Sequence, residues 1–409
     1  MVPLETVQGL SPSELKKIIG GRDIYIWGSG PVGRGVLIGL QKTGFSPVGF
    51  IDGRASEEGL FFRSLPVLNA ENIISDKLAF IIIANMQVRK IAETLCSKHG
   101  RKKMVDYLTH YQISRPEAAI DVAGICNIKC PSCPRGNMFP VLPEGCMSLM
   151  MYKRVLQKLL LDIPHLTHVE LYTWGEPLLN PEIDKIVKYT EQFLPSTIAT
   201  NLLITDQIEP LLRANPSQLN VTINGFEAQY EINMKGASWA LLMKNLICLK
   251  DLYSALKCST VVTLLSYECS GEDREKLKEI AMGFGFPIVF CTSYVNPYEH
   301  YSDYLQQNKK LLINGDLKIK SLCSVDTMLG LANDDKNNPC LNQRIFPIIN
   351  WDASVALCHT YYGPVIADNY LEISWDDLLA ERHHRVECIS CQEKGLHRFD
   401  VDVLEQRYL

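Results

Sequence analysis

The sequence predicts an α/β protein in three parts. These are a doubly wound parallel sheet over residues 1–112, a partial (β/α)6 barrel over 113–330 and a small loop-rich domain over 331–409. Three observations carry this expectation. In the first part, strand-like apolar runs alternate with helix-periodic runs. From Ala118, six further strand-like runs, most separated by helical stretches, occupy about 180 residues. Past residue 331, long periodic segments become fewer while Asn, Asp, Cys and His become more frequent. Small domains of that composition often rely on a metal or cluster for stability.

The elements follow in order. Ser11-Pro12-Ser13-Glu14 opens a helix, with Ser11 as N-cap, Pro12 at the first helical position and Glu14 completing a capping box. DIYIW at 23–27 reads as a strand and runs into Gly28-Ser29-Gly30-Pro31-Val32-Gly33, after which a helix follows. PVGFID is a second strand ending at Asp52, LAFIIIAN a third, residues 87–99 a helix, and KKMVDYL closes the sheet. The glycine pattern G-x-G-x-x-G, between a strand and a helix and with an acidic residue about 20 positions on, is the context a dinucleotide-binding fingerprint requires. The helix N-terminus offers N–H donors to a phosphate. Gly28, Gly30, Gly33 and Asp52 are therefore candidate nucleotide contacts, and a purely architectural role stands as the alternative. The barrel strands are read at AAIDVAG, HVELYTWG, STIATN, QLNVTIN, STVVTLL and PIVFCTSY.

Composition excludes several classes. The 409 residues are 46% hydrophobic and 21% charged, with a net charge of −5, which gives no footprint for nucleic-acid binding. RKK at 101–103 is too short for a basic patch. The N-terminus lacks a basic start followed by an apolar run, and the apolar stretch LAFIIIA is too short to span a bilayer. A cytoplasmic protein is expected, and in that compartment 14 cysteines point to metal or redox chemistry rather than to disulfides.

The run CNIKCPSC places Cys126, Cys130 and Cys133 on one short loop after a strand. Structural zinc sites use four protein ligands. A cubane iron–sulfur cluster held by three cysteines keeps one iron open for a chelating ligand. In this pattern the chain resembles the radical S-adenosylmethionine (radical SAM) superfamily, whose signature is C-x3-C-x2-C after the first barrel strand. The resemblance implies a catalytic [4Fe–4S] cluster on Cys126, Cys130 and Cys133 with S-adenosylmethionine on the open iron. It further implies reductive cleavage to a 5′-deoxyadenosyl radical that abstracts hydrogen from substrate, and a flavodoxin- or ferredoxin-type electron donor. Relatives carry an aromatic residue before the last cysteine, where this chain has Ser132. By the same resemblance, Gly175 and Glu176 of the run Trp174-Gly175-Glu176-Pro177, then Thr200 and Asn201, then Thr222 and Asn224, surround S-adenosylmethionine at successive strand ends. The residue types suit this: glycine lets backbone approach a ligand, and a carboxylate accepts from an ammonium group.

Cys340, Cys358, Cys388 and Cys391 form a second set, which on chemistry alone fits either zinc or a cubane cluster. Beside the upstream motif, the pattern resembles the Twitch form of the SPASM extension, and the resemblance implies a second, auxiliary [4Fe–4S] cluster. Four cysteines fill four irons, so this cluster would work by electron transfer. The remaining cysteines are Cys96, Cys146, Cys248, Cys258, Cys269, Cys291 and Cys323, and most are expected as small buried apolar residues. Glu170 and Tyr172 alternate on one strand and are expected to face the barrel interior with substrate. Cys291 is a candidate hydrogen-atom donor in an epimerase-type reaction, while His165, His168 and His300 read as surface histidines. The expected chemistry is oxidation of a sugar, cyclitol or nucleotide-linked small molecule. The alternatives are a ribosomal-peptide maturase or epimerase, and a non-catalytic zinc-bearing scaffold.

Overall fold

The structure, a computed structural model, describes residues 10–53, 61, 62, 64–84, 89–113, 116–137, 143–163, 166–267, 271–290, 330, 333, 336, 337, 340, 347–359, 361–383 and 385–398. The chain forms two compact units: residues 1–117 with 159–169 and 193–196, and residues 118–158 with 170–192 and 197–409. Among the described residues no helix is long and apolar enough to cross a membrane.

In the first unit, strands β1 (Asp23–Trp27), β2 (Gly49–Ile51), β3 (Phe61–Phe62), β4 (Leu65–Leu68), β5 (Ala79–Ile83) and β6 (Tyr107–Thr109) form one sheet in the order β3-β4-β2-β1-β5-β6. The central pairs β2–β1, β1–β5 and β5–β6 are parallel. Helices α1 (Pro12–Ile19), α2 (Pro31–Lys42), α3 (Ala70–Ile74) and α4 (Arg89–Lys98) connect them. The expected capping box of α1 is present, with Ser11 N–H donating to Glu14 Oε2 at 2.8 Å. Both faces of the sheet are covered, as parallel strands require. Ile24, Ile26, Phe80 and Ile82 pack with Leu15 and Ile19 of α1 and Leu37 and Leu40 of α2. Trp27, Ile51, Ile81 and Ile83 pack with Ala92 and Cys96 of α4. The pair β3–β4 was not visible as strands in the sequence, because LPVL is short and contains Pro66, which reads as a breaker.

The second sheet contains β7 (Glu117–Ile120), β8 (His168–Glu170), β9 (Ser196–Thr200), β10 (Gln218–Thr222), β11 (Val261–Ser266) and β12 (Ile288–Phe290), followed by β13 (Ile348–Ile349), β14 (Val355–Ala356) and β15 (Val365–Ala367). Its order is β12-β11-β10-β9-β8-β7-β13-β14-β15. The first six strands lie in sequence order, as a partial barrel requires, and β9 to β12 pair in parallel. Between and after them run α5 (Pro134–Asn137), α6 (Leu149–Asp162), α7 (Ile183–Thr190), α8 (Ile208–Ala214), α9 (Ala228–Asn233), α10 (Trp239–Leu256), α11 (Gly271–Phe284), α12 (Trp375–His383) and α13 (Val386–Glu393). On β10, Leu219 and Val221 are fully buried, whereas Gln218 and Thr222, on the other face, are half-buried. Leu242, Leu246 and Leu249 of α10 and Leu211 and Leu212 of α8 supply the matching apolar faces. Residues 348–367, expected as loops, instead add three strands beside β7, with β13 parallel to it. Strands of two or three residues are too short to leave a period in the sequence.

Gly33 marks the closest packing in the first unit: a Cβ there would stand 1.8 Å from the Gly28 carbonyl oxygen. Gly33→Ala must push α2 off the end of β1, at a cost of about 1–3 kcal/mol. It is expected to lower the urea midpoint of the full chain, and an unchanged midpoint would contradict this packing.

Candidate functional site

The run expected as one strand, AAIDVAG, is strand only to Ile120. The next residue, Asp121, is buried and ties two loops together. Its carboxylate accepts from the backbone N–H groups of Thr173, Trp174 and Gly175 at 3.3, 3.4 and 3.4 Å. Burial pushes its pKa up, while the Thr173 hydroxyl and the Arg135 charge pull it back. Backbone pairing then fixes the loop that leads to the cysteines. Gly124 N–H donates to Gly145 O at 2.8 Å and Met147 N–H to Val122 O at 2.9 Å. Asn180 Nδ2 bridges Val122 O and Met147 O at 2.8 and 2.9 Å. Trp351 lies against this ribbon: a Cβ at Gly124 or Gly145 would stand 2.0 or 2.3 Å from its ring. Its Nε1 donates to Pro143 O at 3.2 Å.

The cysteine loop itself is a tight turn into α5. Cys133 N–H donates to Cys130 O at 3.1 Å, and Gly136 N–H to Cys133 O at 2.8 Å. A Cβ on Gly136 would stand 2.0 Å from Cys130 O, so no other residue fits beneath the loop. Lys129 N–H donates to Lys235 O at 2.8 Å. Burial raises the Cys126 thiol pKa and pushes that of Cys133 up to about 12, with Arg135 opposing both shifts. Neutral thiols are therefore favoured here until something compensates their charge.

Two buried donors face this loop. Arg135 is 4% exposed, and its Nε and Nη1 have no hydrogen-bond partner among the described residues. The Tyr230 hydroxyl is buried and likewise unpartnered among them. Burial raises its pKa, and Cys130 and Glu176 lie within electrostatic reach. Trp239 packs edge-on against the Tyr230 ring, with centroids 5.5 Å apart. The sequence reading missed Asp121, Arg135 and Tyr230. A signal existed for the first two: an acid inside an apolar strand run, and a cation two residues past the last cysteine.

The strand-end candidates converge on the same loop. Gly175, expected to admit a ligand, admits the chain's own backbone: a Cβ would stand 1.4 Å from Ala123 O. Glu176 N–H donates to Ile125 O at 2.7 Å. The buried Glu176 carboxylate accepts from Leu178 N–H, the Thr200 hydroxyl and Asn201 N–H at 3.0, 2.7 and 2.8 Å. Burial pushes its pKa up to about 7 against these three donors. Asn201 Nδ2 reaches Asn127 Oδ1 at 2.8 Å, between two of the cysteines in sequence. Asn224 Oδ1 accepts from Tyr267 N–H at 2.9 Å, and Thr222 is half-buried at the end of β10. Glu170 is the last residue of β8, so Tyr172 lies past the strand rather than on it, and both are half-buried. Cys291, His165, His300, Cys269 and Cys323 lie outside the described residues. His168, expected at the surface, is buried. Cys96 is buried as expected, while Cys146, Cys248 and Cys258 are only half-buried.

The C-terminal cysteines also come together. Cys388 and Cys391 lie one turn apart on α13. Burial raises the Cys391 pKa, and the Cys358, Cys340 and Cys388 thiols raise it further. Arg382 of α12 is buried; burial lowers its pKa, and the Cys358, Cys388 and Cys340 side chains act against that shift. Among the described residues no three His, Cys, Asp or Glu side chains are placed to hold a single metal ion. In the first unit, Gly28 takes φ +113° and Gly30 is the N-cap of α2. Asp52 Oδ2 accepts from both Ser29 N–H and the Ser29 hydroxyl, at 3.0 and 2.7 Å.

Residues 120–281 match the family model of the Radical SAM superfamily. That match runs from the last residue of β7 through β11 and includes the loop that carries Cys126, Cys130 and Cys133. Three solved structures are similar to it. BtrN in complex with AdoMet and 2-DOIA is 18% identical over 71% of this chain and 91% of its own, with a TM-score of 0.37. Streptococcus suis SuiB bound to S-adenosylmethionine is 15% identical over 69% and 72%, with a TM-score of 0.45. Native anSMEcpe with bound AdoMet is 14% identical over 68% and 83%, with a TM-score of 0.42. No curated protein matches the chain.

Glu176 makes a prediction about stability. Its folded pKa lies above the unfolded value of 4.5, so the folded chain holds the extra proton between those values. Stability from this group is complete below pH 4.5 and falls as pH rises through 7, by on the order of 3 kcal/mol at most. Glu176→Gln is expected to flatten that slope in urea titrations across the window. It also leaves one of three N–H or O–H donors opposed, at a cost of about 1–3 kcal/mol at low pH. An unchanged slope would contradict the buried, raised carboxyl.

Proposed function

We propose that the protein is a radical SAM oxidoreductase of the SPASM/Twitch type, dehydrogenating a sugar, cyclitol or nucleotide-linked small molecule. Cys126, Cys130 and Cys133 hold the catalytic cluster. The donor set fits that group: three thiols on one loop, too tightly turned for a side chain at 136, with the buried Arg135 and Tyr230 donors facing them. That last feature is the observation that carries the reading, because a buried donor without a protein acceptor points to an acceptor that binds. The group supplies one-electron cleavage of S-adenosylmethionine to a hydrogen-abstracting 5′-deoxyadenosyl radical.

The chain's own residues do the positioning. Glu176, Thr200, Asn201, Thr222 and Asn224 surround S-adenosylmethionine, and Gly175 shapes that site by letting its loop close onto the Ala123 carbonyl. Glu176 fixes the ends of two strand loops and turns its remaining acceptor capacity to a cationic group. Cys340, Cys358, Cys388 and Cys391 hold an auxiliary [4Fe–4S] cluster within residues 331–409, a reading supported by Cys388 and Cys391 one turn apart on α13 and by the electrostatic influence of the other three thiols on Cys391. A flavodoxin- or ferredoxin-type donor supplies electrons. A small hydroxylated substrate is favoured by the inner face of the sheet, where neutral hydrogen-bonding groups lie in register. Gln218 is paired with Thr197, and Asn220 with Thr263. Glu170 and Tyr172 border that face, and Cys291 remains the candidate hydrogen-atom donor. Gly28, Gly30, Gly33 and Asp52 form the candidate nucleotide loop of the first unit.

The test is anaerobic turnover of reconstituted protein with candidate substrates, following 5′-deoxyadenosine and product mass. Loss of two mass units is expected. Changing all three of Cys126, Cys130 and Cys133 to Ala is expected to abolish 5′-deoxyadenosine formation. Unchanged mass with solvent deuterium uptake would move the assignment to epimerisation, and tight leader-peptide binding would move it to a peptide maturase. Zinc without sulfide after anaerobic purification would end it.

A further inference from the structure

The ribbon that delivers Cys126 carries two glycines that its own backbone does not call for. Residues 122–124 run antiparallel to 145–147, with Ala123 opposite Cys146, so Gly124 and Gly145 face each other across the pair. Neither takes a positive φ, so space alone keeps side chains out. A Cβ at 124 would stand 2.0 and 2.3 Å from Cδ1 and Nε1 of Trp351, and one at 145 would stand 2.3 and 2.4 Å from its Cζ3 and Cη2. The five-membered ring therefore covers one glycine and the six-membered ring the other. One indole fills the place of two cross-strand side chains, the arrangement by which an aromatic stiffens a glycine pair. Its Nε1 also donates to Pro143 O at 3.2 Å, just before the second strand of the ribbon.

Trp351 is itself held in place. It stands at the tip between β13 and β14, where Asn350 N–H donates to Ser354 O at 2.8 Å and Ala353 N–H to Asn350 O at 2.9 Å. Asp352 Oδ1 accepts from the Ser354 N–H and hydroxyl at 3.0 and 2.7 Å. Ala353 takes φ +69°, and its carbonyl accepts from Tyr370 N–H at 2.7 Å. The base of the tip is joined to the site, because Asp121 N–H donates to Ile349 O at 2.8 Å. A second aromatic contact lies on the neighbouring loop: Tyr362 meets Trp174 edge-on, with centroids 5.9 Å apart, one residue before Gly175. Residues past 347 thus touch both the ribbon into Cys126 and the loop into Glu176, and neither contact comes from the six barrel strands.

We propose that Trp351 is a positioning residue for the S-adenosylmethionine site: its indole, laid over Gly124 and Gly145, sets the path of the ribbon into Cys126, so that residues 348–356 complete a site the barrel alone leaves loose. This rests on the cofactor assignment above. Without the ring, two opposed glycines would lead into the triad loop, and glycine has the most backbone freedom to lose. A ribbon that must be ordered when the cofactor binds subtracts that cost from its affinity, whereas a ribbon already ordered does not.

The experiment measures S-adenosylmethionine binding by equilibrium dialysis on the reconstituted full chain, with iron and sulfide determined on the same samples. Hydrogen exchange over residues 120–126 is followed by mass spectrometry. Trp351→Ala is expected to weaken binding about tenfold and to speed exchange in that segment. Trp351→Phe keeps a ring over the glycines and loses only the Nε1 donor, so it should stay within about threefold of wild type. Gly145→Ala lifts the ring and is expected to weaken binding as Trp351→Ala does. In the double variant the new methyl meets no ring, so it should bind no worse than Trp351→Ala alone, the mark of a direct pair. Faster exchange with unmoved affinity in Trp351→Ala would show a contact that serves shape only and overturn the proposal, as would additive losses in the double variant. If Trp351→Ala loses native far-UV circular dichroism or takes up no cluster, Gly145→Ala decides: weakened binding in the loaded chain supports the clamp, and unmoved binding overturns it. Wild-type protein that takes up no iron and sulfide, or binds no S-adenosylmethionine, would end the functional reading and the clamp with it, whereas wild-type binding that the variants leave unmoved ends the clamp alone.

Discussion

The constraint on which this molecule depends is the cost of charged sulfur away from water. Two groups of cysteines lie in half-buried or buried positions, and burial drives the resolved thiols toward their neutral forms, Cys133 to about 12. A metal centre needs thiolates. The fold therefore has to supply compensation, and the available kinds are backbone N–H groups, a fixed cation and the bound metal itself. All the local features of the three-cysteine loop follow from that need. The backbone N–H groups of Ile128 and Arg135 favour the thiolates of Cys126 and Cys133, glycine at 136 removes the side chain that would hold the turn open, and Arg135 is buried two residues beyond Cys133.

A loop that, under the proposed function, would meet a cluster and a cofactor at once gains from being held before either arrives. The structure does this with buried polar groups that are spent on backbone. Asp121 takes three N–H groups from the loop after β8, and Asn180 ties the two strands of the ribbon at Val122 and Met147. Glu176 joins its own loop to the end of β9. These side chains are costly to bury alone and nearly free once satisfied, which is why they rigidify the site without wasting stability. The same use of side chains occurs in the first unit, where Asp52 is held twice by Ser29. In a dinucleotide fold the acid at that position accepts from ribose hydroxyls. Here any ribose must share the carboxylate with the glycine loop it would sit beside.

Features governed by short-range chemistry were legible in the sequence. The α1 capping box, the strand leading into Gly28, the six barrel strands in order and the cysteine triad all depend on neighbours within a few residues. Those that depend on distant partners were not. Asp121 reads as an anomaly in an apolar run until Thr173–Gly175 are placed opposite it. Gly175 reads as a ligand glycine because nothing in the sequence says that Ala123 O comes within contact of it. Strands β13 to β15 are too short to carry a period, and only their pairing onto β7 makes them strands. Nothing in the sequence marks Tyr230, whose significance lies in a hydroxyl left over after its ring is packed.

Under the proposed assignment, the two cysteine sets differ in what the protein could adjust. With three thiols, a cluster on the first set would keep an exchangeable iron, so binding of S-adenosylmethionine could itself change the electronic character of the centre. With four thiols for four irons, a cluster on the second would have no such freedom, and its potential would be set by surroundings alone: hydrogen bonds to sulfur, burial and fixed charge. That asymmetry would follow from ligand number, independently of the substrate.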